Sequence, residues 1–157
     1  MASGLVEETI VGTDDAAATR ALAARLAMVA TAGDLVCLIG ELGAGKTVFA
    51  KGFAAGLGVT ATVNSPSFVL MAEYAGRLPL FHIDLFRLEG AADALAGGLL
   101  DERQAVGVTL VEWAERLGPA LPAARLDVII EGSGDEPRTI HLRATGPAYR
   151  RYTEVAA

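Results

Sequence analysis

The sequence predicts an α/β fold, a mixed sheet flanked by helices and closed by a C-terminal β-hairpin. Three observations carry that reading. Short apolar runs rich in β-formers alternate with segments of helical periodicity along the 157 residues. One such run, "DLVCLI", breaks into a glycine loop and then a helix, the order of a layered α/β unit. Two late runs, "RLDVIIEG" and "RTIHLRAT", flank the turn sequence "SGDEP". No internal repeat or long linker interrupts the pattern, so residues 1–157 are expected to form a single domain.

The elements follow in order. "GTDD" offers a Thr/Asp cap, and apolar residues recur at helical spacing through Leu22, Leu26 and Val29 until Gly33. Asp34 to Ile39 reads as a buried strand, Gly40 to Gly45 as its loop. A helix is expected from Lys46 to Leu57, closed by Gly56 and Gly58. Asn64, Ser65 and Pro66 make "VTATVNSPSF" a loop. "SFVLMAEY" and "PLFHIDLF" are two strands joined by "AGRL". "EGAADALAGGLLDERQAVG" is a short helix interrupted at Gly97 and Gly98, "VGVTLVEW" another buried strand. "AERLGPALP" is a helical turn ended by Pro119 and Pro122, and the hairpin follows.

Composition narrows the function. Hydrophobic residues are 52% and mean hydropathy is +0.41, yet no apolar stretch reaches the ~18 residues of a spanning helix. The acidic start, "MASGLVEETIVGTDD", lacks a basic region before an apolar one, so no signal peptide is expected. Cys37, the lone cysteine, fits a reducing cytoplasm. A net charge of −6 disfavours autonomous binding of DNA or RNA. Arg138, Arg143, Arg150 and Arg151 form the densest basic cluster, read as a solvated or partner-facing tail.

The glycine loop is the most informative stretch. "GELGAGKT", comprising Gly40, Glu41, Leu42, Gly43, Ala44, Gly45, Lys46 and Thr47, satisfies G-x-x-x-x-G-K-[ST] between strand and helix. Glycines let successive N–H groups turn toward a phosphate, and the new helix adds its unpaired donors and positive dipole end. Lys46 would reach the β- and γ-phosphates and the Thr47 hydroxyl a Mg²⁺ ion. The chain has two lysines, Lys46 and Lys51, against eleven arginines, so a lysine in this loop points to a need for a compact ammonium. The loop is expected to hold a nucleoside triphosphate with Mg²⁺.

A second carboxylate should serve the metal from a strand end. Asp84 in "HIDLF" and Glu112 in "LVEW" both qualify, and spacing leaves their roles open. His82, two residues before Asp84, shares its side of the strand and is expected to orient Asp84 or pack beneath it, not to bind metal. Trp113 belongs to the core or an interface, or gates the nucleotide, and His141 is structural.

Several separated pieces together resemble one family. "GELGAGKT", "NSPSFVL" with Tyr74, "HIDLFRL", Gly98 with Asp101, and "LVEW" stand in the order found in the TsaE (YjeE) family, small bacterial P-loop ATPases of tRNA threonylcarbamoyladenosine synthesis. The resemblance spans about Thr13 to Trp113 and, more loosely, the closing hairpin. It implies that Gly40 to Thr47 bind the phosphates of ATP, with Val48 and Trp113 beside the nucleotide. It gives Thr47 and Glu112 to Mg²⁺, and Asp84 to the attacking water. Ser65, Pro66, Ser67 and Phe68 would form a switch-like loop sensing the γ-phosphate. It further implies weak intrinsic ATPase activity, a TsaB–TsaD complex as partner, and contact with tRNA only through that complex. Departures are small: Ser67 for a commoner threonine, Phe86 for a frequent tyrosine, and Val48 where a second threonine is common.

Two other readings share the scaffold. A small-molecule kinase needs an arginine-bearing lid, and only Arg87 and Arg103 lie between Asp84 and Glu112. A non-hydrolysing nucleotide-dependent assembly module would bind ATP without consuming it. ATP turnover without an added acceptor separates the ATPase from both.

Overall fold

The computed structural model describes residues 7–41, 43–64, 71–86 and 105–157. Leu42, the 65–68 loop, Arg87, Gly98, Asp101, Arg103 and most of the helix expected after Glu89 lie outside the described residues. The sheet has seven strands: β1 (Glu7–Thr13), β2 (Leu35–Gly40), β3 (Met71–Tyr74), β4 (Leu80–Asp84), β5 (Val108–Glu112), β6 (Leu126–Glu131) and β7 (Arg138–Ala144). Their order is β1-β7-β6-β2-β5-β4-β3. The central four, β6, β2, β5 and β4, run parallel, while β3 on one side and β7 and β1 on the other are antiparallel. The mixed sheet and closing hairpin are as the sequence predicts.

Alternation along the parallel strands sorts the core into two faces. Val36, Leu38, Val108 and Leu110 face a large cluster with α1 (Ala16–Ala27), α2 (Lys46–Gly56) and α3 (Arg150–Ala156). Leu35, Cys37, Ile83 and Val111 face a smaller one, closed by Ala114 and Leu117 of the 3-10 segment Ala114–Ala120. That segment is two turns broken at Gly118, where φ is 49°.

α1 starts as its capping signal requires: the Asp15 side chain accepts a hydrogen bond from Ala18 N at 2.8 Å. It ends at Ala27, well before Gly33, because the chain tightens there and Arg77 takes the carbonyls of Ala27 and Ala30 at 2.8 and 3.2 Å. α2 lies directly against α1. A Cβ at Gly52 would sit 2.4 Å from the Arg20 carbonyl oxygen, and one at Gly56 2.5 Å from that of Ala24. Gly56 therefore serves helix packing, and Gly58, at φ +81°, is the glycine that ends α2.

Two elements had no signal in the sequence reading. β1 is an edge strand whose less exposed side carries Glu7, Thr9 and Val11, so polar residues hide the period-two pattern. α3 occupies the supposed arginine tail. Its Tyr152 is fully buried, and Arg151 turns inward onto Asp34. Arg143 pairs with Glu8 on β1 at 3.3 Å, and Arg138 bonds the glycine loop. Three of the four clustered arginines are thus held by internal partners, which corrects the reading of a free tail. No helix among the described residues is long and apolar enough to cross a membrane.

Candidate functional site

The site lies at the C-terminal ends of the parallel strands, where ligands of open α/β sheets gather. Gly40 ends β2 against β6, and a Cβ there would sit 2.7 Å from the Ile130 carbonyl oxygen. The loop then turns through Gly43 (φ +84°) and Gly45 (φ +110°), conformations open to glycine at little cost. Gly45 is the residue before α2 and has no capping side chain, and no acidic residue occupies the first turn. The first N–H groups and the positive end of α2 are thereby left for an anion.

Lys46 opens α2 and is 5% exposed. Its Nζ donates to Gly40 O at 2.6 Å and Glu41 O at 3.0 Å and lies 3.8 Å from the centre of the Trp113 ring. Burial pushes its pKa down, opposed by the carboxylates of Glu112, Glu115, Asp84 and Glu41. The next residue, Thr47, donates from Oγ1 to Glu112 Oε1 at 3.2 Å.

The two candidate carboxylates are neighbours. Asp84 ends β4 and Glu112 ends β5, paired in register, and both are buried. Alternation from Leu110 turns Glu112 to the helix face, where Thr47 waits. Asp84 Oδ1 accepts from Phe86 N at 2.9 Å, an Asx turn that steers the chain leaving β4. His82 does not serve Asp84 as expected: its Nε2 lies 2.6 Å from Glu112 Oε2. The correction follows from parallel pairing, which sets His82 opposite Leu110, so the longer glutamate can reach back to it.

Trp113 follows Glu112 with φ 60°, which brings its half-buried ring over Lys46. Phe86 packs on the indole at 5.0 Å between ring centres, with the Arg116 guanidinium 5.8 Å from each ring. The structure thus brings Lys46, Thr47, Asp84, Glu112 and Trp113 to one place.

On the other side of the loop, a cleft of about 220 Å³ is lined by Asp15, Thr19, Ala44, Val48, Asp135 and Arg138. Arg138 closes it, donating to Ala44 O at 2.8 Å, Gly43 O at 3.3 Å and Gly134 O at 3.0 Å. Sequence reasoning passed over this wall, because its residues come from the β1–α1 turn and the β6–β7 hairpin, far apart in the chain. The arginine cluster was its one visible trace.

Among the described residues no three His, Cys, Asp or Glu side chains gather as a metal cage. Thr47 and Glu112 instead offer a hydroxyl and a carboxylate side by side. Such hard oxygen donors suit Mg²⁺, which keeps waters and substrate phosphates as its other ligands. The residues present fit a Mg²⁺–nucleotide pair.

The family model described as threonylcarbamoyl adenosine biosynthesis protein TsaE matches residues 13–140. The chain is 45% identical over 137 residues to the tRNA threonylcarbamoyladenosine biosynthesis protein TsaE of Bacillus subtilis (strain 168), covering 87% of this chain and 85% of that protein. It is 40% identical over 134 residues to the TsaE of Streptomyces coelicolor, covering 81% and 89%. The crystal structure of YdiB from Bacillus subtilis superposes with a TM-score of 0.79 at 38% identity, over 96% of this chain and 95% of that one. From the β1–α1 turn to the last strand, the chain belongs to the TsaE family.

Proposed function

We propose that this chain is a slow, Mg²⁺-dependent ATPase of tRNA threonylcarbamoyladenosine synthesis, converting ATP and water to ADP and phosphate. The observation that carries the reading is the Thr47–Glu112 hydrogen bond, with Asp84 next to Glu112 on the adjoining strand. This is the donor set a phosphate-binding loop needs on its metal side. The residues of Gly40 to Thr47 would hold the phosphates through backbone N–H groups and the Lys46 ammonium, and the nucleoside would extend toward the cleft beside Ala44 and Val48.

Thr47 and Glu112 would hold Mg²⁺, which when bound offsets the phosphate charge and the charge developing on the leaving oxygen. Asp84 would orient the attacking water and accept its proton. Lys46 and Trp113 screen this corner from bulk solvent. The same reading makes the output a conformational one, delivered in the cytoplasm to a TsaB–TsaD complex that itself meets the tRNA. Family membership supports the pathway, and the net charge of −6 supports leaving the tRNA to the partners.

The test is steady-state ATP hydrolysis with Mg²⁺ and no acceptor, with and without TsaB–TsaD. Slow turnover accelerated by the complex is expected. ATP bound but never consumed in either condition would leave the small-molecule kinase and the assembly module standing.

A further inference from the structure

His82 is fully buried on β4, and its Nδ1 has no hydrogen-bond partner among the described residues. Its partners in register are apolar, Leu110 on β5 and Ala72 on β3, as is Leu80, two residues before it on the same face. A leucine would suit such packing better than an imidazole with an unpaired ring nitrogen. What the imidazole adds is the 2.6 Å bond to Glu112 Oε2, while the other oxygen of the same carboxylate, Oε1, takes the Thr47 hydroxyl. Each oxygen of Glu112 therefore has its own donor, one from β4 beneath it and one from α2 above.

We infer that His82 is the positioning residue for Glu112: its Nε2–H fixes the plane of the carboxylate, so that the oxygen facing Thr47 is aimed for a divalent cation. This rests on the reading of Glu112 as a Mg²⁺-side carboxylate. A glutamate side chain has three rotatable bonds and ordering it costs up to ~2 kcal/mol. A histidine bond made before the ion arrives removes part of that cost from the binding step. Carboxylate ligands elsewhere are tuned by such hydrogen bonds, and their loss weakens metal binding ~10–100-fold. The tautomer follows from the geometry, since a carboxylate accepts and Nε2 must donate to it.

The test uses ADP titrations by calorimetry, in EDTA and across a Mg²⁺ series, on the wild-type chain, His82→Leu and His82→Gln. Glutamine sets an amide N–H near the position of the imidazole Nε2; leucine sets none. Expected are ADP affinities within about twofold of wild type in EDTA, a Mg²⁺ requirement raised ~10-fold or more in His82→Leu, and recovery of most of it in His82→Gln. A wild-type Mg²⁺ series in His82→Leu overturns the inference. So does an equal loss in both variants at unchanged melting temperature, the mark of a packing role. Should wild type bind ADP with no dependence on Mg²⁺, the metal reading of Glu112 falls and this inference with it. ¹⁵N spectra of the wild-type chain add a check that needs no variant to fold. With His141 the only other histidine, the two rings are readily assigned, and a His82 Nε2 that carries no proton would also overturn the assignment.

Discussion

The Lys46 ammonium rests 3.8 Å from the centre of the Trp113 ring, and Trp113 is the one non-glycine residue among those described with positive φ. A cation over an indole in a partly desolvated corner is worth ~1–2 kcal/mol, a fair match for the strain of that backbone. The pair ties the glycine loop to the end of β5, so that whatever moves Lys46 is felt at the strand bearing Glu112.

Because Trp113 is the only tryptophan, its emission reads the lysine directly. Adding ADP or ATP with Mg²⁺ is expected to change Trp113 fluorescence as phosphate draws Lys46 toward it. Lys46→Ala should remove a charge-assisted contact and weaken nucleotide binding by ~10–100-fold. Unchanged affinity by calorimetry counts against the phosphate-clamp assignment.

Asp84 and Glu112 should separate kinetically. Asp84→Asn keeps an acceptor for Phe86 N, so the turn after β4 survives while the base is lost. Turnover should drop ~10²–10⁴-fold with nucleotide affinity nearly unchanged, as for an interaction made in the transition state. Glu112→Gln should instead raise the Mg²⁺ needed for both binding and turnover. If Asp84→Asn weakens binding as much as turnover, Asp84 belongs to the metal or to the scaffold.

Arg138 joins the β6–β7 hairpin to Ala44 and Gly43 by backbone carbonyls, not by charge pairing. Its planar fork serves several acceptors at once, which an ammonium cannot copy. Arg138→Ala should loosen the loop and cut nucleotide affinity by about 10-fold, and Arg138→Lys should recover little of it. Equal affinity in all three chains would show that the hairpin contact does not shape the loop.

How far the sequence disclosed this architecture depends on whether a signal was local. The glycine loop between β2 and α2 was legible because glycines, lysine and hydroxyl are contiguous and flanked by a strand and a helix. Both strand-end carboxylates were legible because each follows an apolar run. The partner of His82 was not, since same-strand spacing suggests Asp84 and only the parallel register of β4 and β5 reveals Glu112. β1 escaped because an edge strand with glutamates shows no apolar alternation. α3 escaped because its arginines suggested a solvated tail, whereas the acceptor that draws Arg151 inward, Asp34, lies 117 residues away.

That acceptor sits at the end of β2 opposite the glycine loop and should govern alkaline stability. Asp34 is bonded by Thr31 N at 3.0 Å, by Arg151 and by the Tyr152 hydroxyl, while the Tyr149 hydroxyl accepts from Leu35 N at 2.9 Å. Burial pushes both tyrosine hydroxyls up, and the Asp34 charge pushes them further. Below about pH 10 folded and unfolded chains keep these protons alike, so neither group adds pH dependence there. Above it the unfolded chain releases them first, binds fewer protons, and stability falls by ~1.4 kcal/mol per pH unit for each tyrosine until the folded group also ionises. The buried Cys37 thiol, also pushed up by burial, adds the same sign from about pH 8.5, so the comparison needs chains that keep it. Urea midpoints taken from pH 9 to 11 should therefore decline in the wild-type chain and decline less steeply in Tyr152→Phe, with ADP affinity at pH 8 the same in both. A Tyr152→Phe chain that loses stability as steeply as wild type would mean that this hydroxyl is not the buried acid that the base reaches.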